Sequence, residues 1–180
     1  MSGVELRSVS RHALGPPGVL PDMSVVHDTA IGPLHLDASP RGLTLLGFSP
    51  GDGEGVPDGD AVRVLDLARR ELDAYFAGTL REFTVPVDLD AHPAGDRRVL
   101  DGLAAVGYGE TVSYGKLAAA VGLGPGEARR VGGTMARNPV AIVVPCHRVV
   151  GAEGSLTGYA GGLERKRALL DLEGRDRLLF

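Results

Sequence analysis

Apolar positions change their period several times along this chain, and each change predicts an element. From His27 onward Leu34, Leu36 and Ala38 alternate with polar neighbours, and Leu43 to Phe48 is a second extended run. Alternation of this kind belongs to strands with one buried face. Ile31-Gly32-Pro33-Leu34, just ahead of them, has turn chemistry, so the segment predicts a small antiparallel hairpin sheet. Ser49 to Asp60 carries four glycines, two prolines and four acids and reads as a solvated loop. Ala61, Leu65, Ala68, Leu72 and Tyr75 then fall at helical spacing, with Gly78 as the stop. Phe83, Val85, Val87 and Leu89 alternate again, and Pro86, which lacks an N–H, places them on an edge strand.

Beyond a linker at His92 to Gly95 the pattern becomes helical. Val99, Leu100, Leu103 and Val106 form a stripe ending at Gly107. Ser113 is the expected N-cap of a helix carrying Leu117, Ala120 and Val121 and stopped by Gly122. Pro125 stands near the start of a further helix carrying Ala128, Val131 and Met135, which ends before Asn138-Pro139. Two short helices around a glycine-containing turn, the second rich in arginine, make a helix-turn-helix pattern, although such pairs also occur in proteins that never meet DNA. Val140 to Val144 is an apolar run that should be buried and delivers Pro145 and Cys146 at its end. The expected organisation is a loose tail over 1–26, a small α/β supporting domain over 27–91 and a mainly helical domain over 96–180.

Charge separates the halves further. Residues 1–90 hold 7 Lys/Arg against 14 Asp/Glu, whereas 91–180 hold 12 against 9, so a net charge of −4 hides a second half at +3. Arg129, Arg130, Arg137, Arg148, Arg165, Lys166 and Arg167 are concentrated there. Such a surface suits a polyanion, or is simply a solvated face. No apolar run approaches the roughly 20 residues that span a bilayer, and the first 23 residues lack the apolar stretch of a secretion signal. The expected compartment is the cytoplasm. Only Lys116 and Lys166 are lysines among 19 basic residues, the usage of a GC-rich and hence bacterial genome. One cysteine can form neither an internal disulfide nor a zinc site of several thiolates, so Cys146 is either inert filler or a reagent. In Pro145-Cys146-His147-Arg148 the adjacent imidazole and guanidinium favour the thiolate, which is the nucleophilic form.

The stretch Asn138-Pro139-Val140-Ala141-Ile142-Val143-Val144-Pro145-Cys146-His147-Arg148-Val149-Val150-Gly151 resembles the active-site signature of the O6-alkylguanine-DNA alkyltransferases. Tyr108 to Gly115 and Ala128 to Gly133 are similar to that family's helix-turn-helix, and Leu156 to Gly162 and Leu169 to Gly174 to its closing segments. Ile31 to Leu34 and Ala74 to Gly78 agree more loosely, so the resemblance spans His27 to Gly174.

The resemblance implies a ribonuclease H-like first domain and a winged-helix-like second one, with no cofactor and no metal. Its partner would be double-stranded DNA containing O6-alkylguanine, approached from the minor groove by a protein that acts as a monomer, with cooperative binding along DNA left open. Cys146 would take the alkyl group irreversibly, His147 would draw the thiol proton through a bound water, and Glu173 would orient the imidazole. Asn138 would tie the recognition helix to the active-site turn, and Tyr114 would offer its hydroxyl to the leaving base. Met135 and Tyr159 would wall the pocket, with the Val149 carbonyl and the Ala160 amide facing the guanine edge. Ser113, Tyr114, Ala128, Arg129, Arg130, Gly132 and Thr134 would meet DNA, Arg129 filling the gap left by the rotated base.

Several positions depart from the family pattern. Arg130 and Thr134 replace alanines, Gly95-Asp96 replaces a phenylalanine-glutamine pair, and Leu100 replaces a tryptophan. The first two should alter the fit to the groove. The others should loosen packing between the domains and lower stability before they affect chemistry. Two alternatives stay open: a non-catalytic damage-recognition protein, whose known examples replace the cysteine, and a cysteine hydrolase built on Cys146, His147 and Glu173.

Overall fold

The computed structural model describes residues 25–50 and 59–174; all but the last two residues of the expected tail and most of the acidic loop lie outside them. Strands β1 (Val25–Thr29), β2 (Gly32–Ser39) and β3 (Gly42–Gly47) form an antiparallel meander. β1 starts two residues inside the segment read as tail. Ala30 and Ile31 make a two-residue connection, and Gly32 follows it at φ 100°, a conformation that a side chain would strain.

Helix α1 (Gly59–Phe76) covers one face of this sheet. Leu34, Leu36, Leu43 and Leu46 are fully buried there with Ala68, Leu72 and Tyr75, each large side chain contributing roughly 1.5–3 kcal/mol. Gly78, at φ 75°, closes the helix: its N–H donates to the Tyr75 carbonyl, and the Thr79 N–H to that of Ala74.

Residues 83–89 do not form the expected edge strand. Val87 makes a single parallel bridge to Leu43, and the reason lies in where the backbone donors go. The N–H groups of Thr84 and Val85 donate to the buried carboxylate of Glu71 on α1, and Pro86 has none to offer. Alternating apolar side chains thus record burial here without a ladder.

The second domain comprises α2 (Ala94–Ala104), α3 (Tyr114–Ala120), α4 (Ala128–Ala136) and α5 (Leu163–Gly174), with β4 (Val112–Ser113) paired in parallel to β5 (Val149–Val150). The Ser113 hydroxyl caps α3 by accepting from the Lys116 N–H at 3.2 Å. Gly122, at φ 69°, stops the chain after it. Helix α4 starts three residues beyond Pro125. Among the described residues no helix is long and apolar enough to cross a membrane.

The domains meet along β3. The Leu46 N–H donates to the Pro139 carbonyl at 2.8 Å, and the Ala141 N–H to the Leu46 carbonyl at 2.7 Å. The segment leading to Cys146 is therefore pinned to the first domain's sheet. Within it the buried Ile142 adopts φ 72°, a left-handed conformation that costs a β-branched residue roughly 1–3 kcal/mol. The turn at Ile142 redirects the chain toward the thiol.

Candidate active site

Cys146 opens a single 3-10 turn, Cys146–Arg148, immediately after Pro145. Its side chain is buried, and burial pushes the thiol above its ordinary pKa. The Asn138 side chain, the Lys166 ammonium and the backbone N–H groups of Cys146 and His147 pull the other way. This corrects the expectation that adjacency to His147 and Arg148 favours the thiolate: both side chains turn away toward Glu173, and desolvation dominates. Asn138 spans the loop, its Nδ2 donating to the Val144 carbonyl at 2.8 Å and its Oδ1 accepting from the Val140 N–H at 3.1 Å. It ties the end of α4 to the approach to Cys146.

Glu173, near the end of α5, is 2% exposed and gathers five donors. Oε1 accepts from Tyr75 at 2.7 Å and from His147 Nε2 and Arg148 at 2.9 Å each. Oε2 accepts from Arg148 Nε at 2.9 Å and the Gly109 N–H at 3.1 Å. Burial alone would raise its pKa, but the hydrogen bonds from His147 and Arg148 and the Arg148 charge bring it down to about 2. An ionised acceptor requires the proton of neutral His147 to sit on Nε2. Nδ1, buried without a protein partner among the described residues, is then the free base. Burial lowers the imidazole's pKa, so the neutral form prevails.

On its other side Cys146 borders a pocket of about 410 Å³ lined by Tyr114, Gly132, Met135, Ala136, Gly158, Tyr159 and Ala160. An adjoining groove shares Tyr114 and Gly132 with it and is further bounded by Ser113, Gly115, Ala128, Arg129, Ala152 and Thr157. A buried thiol with a proton acceptor behind it and a pocket in front can displace a group from a ligand presented through the groove.

Known proteins match this arrangement. Residues 25–89 match the family described as 6-O-methylguanine DNA methyltransferase, ribonuclease-like domain, and residues 94–175 match its DNA binding domain. The chain belongs to the 6-O-methylguanine DNA methyltransferase family. Among its relatives, the methylated-DNA–protein-cysteine methyltransferase of Mycobacterium tuberculosis is 47% identical over 151 residues, which cover 81% of this chain and 88% of that one. The protein of the same name from Methanosarcina acetivorans is 42% identical over 155 residues, 83% and 96% of the two chains. The crystal structure of Mycobacterium tuberculosis OGT in complex with DNA superposes with a TM-score of 0.73 at 47% identity, covering 82% of this chain and 90% of that one.

Within this methyltransferase fold, Cys146, His147, Glu173, Asn138, Tyr114, Met135, Tyr159 and Ala160 converge on one centre. Ser113, Ala128, Arg129 and Gly132 gather along the groove. Thr134 and Val149 fall elsewhere, while Arg130 is exposed on α4 beside Gly95. Thr134 is 1% exposed and donates to Asp96 at 2.8 Å, so it packs against α2 and offers nothing to DNA. The Arg130 guanidinium lies over Gly95, where an added Cβ would come within 2.8 Å of it. Val149 does not line the pocket; its carbonyl accepts from the Lys166 ammonium at 2.6 Å.

The departures from the family pattern thus answer one another. Arg130 uses the room left by Gly95, and Asp96 takes both Thr134 and a bidentate Arg137. These contacts fasten α2 to α4 within the second domain. At Leu100, by contrast, a cleft of about 620 Å³ opens between α2 and residues 81–90.

Sequence reasoning overlooked what the buried charges do. Lys166 and Arg148, counted above as polyanion-facing, are 0% and 6% exposed. Lys166 secures the 149–157 loop through the Val149 and Thr157 carbonyls, and Arg148 neutralises Glu173. Lys166, Leu169 and Glu173 recur at helical spacing, a stripe that placed all three on the buried face of α5.

Proposed function

We infer that this chain is a methylated-DNA–protein-cysteine methyltransferase that repairs DNA directly, by moving an alkyl group from the O6 position of guanine to Cys146. DNA is its partner, and the O6-alkylguanine nucleotide is rotated out of the duplex into the pocket beside the thiol, at roughly a few kcal/mol in stacking and pairing. α4 enters the minor groove, where the small residues Ala128 and Gly132 permit close approach, and Arg129 fills the vacated position. The protein acts as a monomer.

His147 Nδ1 takes the thiol proton through a water. Sγ then attacks the saturated carbon: the S–C bond forms as the C–O6 bond breaks, and the electron pair stays with guanine. Tyr114 donates toward N3 of the departing base, which leaves neutral once the proton given up by sulfur is returned. The thioether that results has no acyl carbon for water to attack, so each molecule acts once. Glu173, held ionised by its five donors, fixes the tautomer that leaves Nδ1 free.

The observation that carries this reading is the thiol's position between a pocket and a buried His–Glu pair in a chain of this family. Intact-protein mass after mixing with a duplex bearing one O6-methylguanine tests it. The expected result is a gain of one methyl group, saturating at one per protein and lost in Cys146→Ala. Lesion-selective binding without mass gain would instead mark a damage-recognition protein, and repeated turnover a hydrolase.

A further inference from the structure

Glu173 belongs to the second domain, yet its shortest hydrogen bond comes from the first. Tyr75, on the last turn of α1, is fully buried and carries its hydroxyl across the junction to Oε1 at 2.7 Å. Phe76, Phe83 and Tyr108 hold the phenol ring at centroid distances of 5.3, 5.3 and 6.1 Å. Packing alone would accept phenylalanine here. The hydroxyl needs an acceptor when buried, and it has taken one oxygen of the proton relay.

That oxygen is shared. Tyr75, His147 Nε2 and Arg148 all donate to Oε1, whereas Oε2 serves only Arg148 Nε and the Gly109 N–H. Donors on one carboxylate oxygen compete, because each withdraws electron density from the others. We propose that Tyr75 is a positioning residue of the methyl-transfer relay: its hydroxyl fixes Glu173 Oε1 and, by sharing that oxygen, weakens its hold on His147 so that the imidazole stays neutral. The inference rests on the role given above to His147 as base.

Every charged or titratable neighbour of the pair bears on the sign. Glu173 and Lys166 face the imidazole from α5, Arg148 from its own turn and Cys146 from the preceding residue. Tyr108 stands against Tyr75 and Arg148 from the connection between α2 and β4. Of these only Glu173 favours the imidazolium, and burial, Arg148 and Lys166 oppose it. The phenol's own pKa is raised by burial and by Glu173, so Tyr75 remains a donor throughout the working range. Removing its hydroxyl strengthens the one group that favours a charged His147, and general-base function is then lost at higher pH.

The experiment is the pH dependence of the single-turnover transfer rate on an O6-methylguanine duplex, for the wild type, Tyr75→Phe, Phe83→Leu and His147→Gln. In Tyr75→Phe the midpoint of the acid limb should rise by about half a unit or more, with lesion binding unchanged. Phe83→Leu trims the same aromatic cluster without touching a donor and should leave the midpoint where it was. 3,5-Difluorotyrosine at position 75, a stronger donor of nearly the same shape, should move it down, which keeps the test open even if Tyr75→Phe folds poorly. Superimposable profiles for wild type, Tyr75→Phe and the fluorinated protein, with the limb abolished in His147→Gln, would overturn the role of Tyr75 alone. A limb that persists in His147→Gln would overturn the base itself, and the role of Tyr75 with it.

Discussion

The two sides of Cys146 follow opposite rules. Behind it, Glu173, His147, Arg148 and Tyr75 form a closed cluster in which all five lines of donation to Glu173 are occupied. In front, the pocket wall is half-exposed, and the Tyr159 hydroxyl is buried with no protein partner among the described residues. At the rear Glu173 is fully engaged in the free protein and His147 Nδ1 is left open for the thiol's proton, whereas the front keeps polar capacity unspent for the substrate. Groups that manage the proton must hold their geometry before substrate arrives, whereas groups that read the substrate lose nothing by waiting for it.

The largest effect should follow from breaking the rear. Glu173→Gln removes the charge that offsets buried Arg148 and permits the wrong imidazole tautomer. Transfer should slow by roughly 10²–10⁴-fold, measured as the rate of methyl gain by mass. Stability should also fall, by about 3–5 kcal/mol, because a buried guanidinium is left uncompensated. The pH dependence has a definite sign. Glu173 lies at about 2 in the folded protein against an ordinary 4.5, so its stabilisation is complete above 4.5 and is lost as pH falls toward 2. That interval corresponds to roughly 3 kcal/mol. Urea unfolding of wild type and Glu173→Gln should therefore converge across this window, and a difference that stays constant would contradict the assignment.

Lys166→Met tests the support between the two sides. It keeps the volume but strands the Val149 and Thr157 carbonyls, each buried or half-buried, and should cost about 2 kcal/mol, read as a lower urea midpoint with unchanged slope. Further out, Thr134→Ala should lose about 1 kcal/mol, by removal of its bond to Asp96, and leave DNA affinity within twofold. A large loss of affinity would restore Thr134 to the DNA face.

How much of this was legible in the sequence follows the same division. Positions whose side chains meet a local rule were plain: Ser113 as a cap, Gly78 and Gly122 as stops, the alternation of Leu34 and Leu36. The cysteine with its flanks was carried by a signature contiguous in the chain, and Tyr114, Gly132, Tyr159 and Ala160 by separate, shorter motifs. What stayed hidden depends on partners distant in sequence. Tyr75 meets Glu173 across 98 positions, and as a helical apolar position it looked like core alone. The Phe83 to Leu89 segment alternated like a strand because its side chains are packed, but Glu71 had claimed the Thr84 and Val85 amides. Lys166 and Arg148 were read as surface charge, since burial of a cation follows from acceptors that spacing does not reveal.

The smallest effect on the free protein should come from the front. Tyr159→Phe removes a hydroxyl that is buried without a partner among the described residues, so the unbound protein should keep its stability or gain up to about 1 kcal/mol. Tyr75→Phe deletes the same atom from a residue of equal size, yet strands part of Glu173 and should lose about 1–2 kcal/mol. Thermal unfolding of the two variants side by side, without DNA, is thus a direct comparison of the two sides of the thiol. Transfer supplies the other half of the argument: if the Tyr159 hydroxyl is held for the extrahelical guanine, Tyr159→Phe must bind the lesion less well or transfer more slowly despite its undiminished stability. Equal stability losses in the two variants would mean that the Tyr159 hydroxyl already has a partner in the free protein, and the division between a finished rear and a waiting front would not hold.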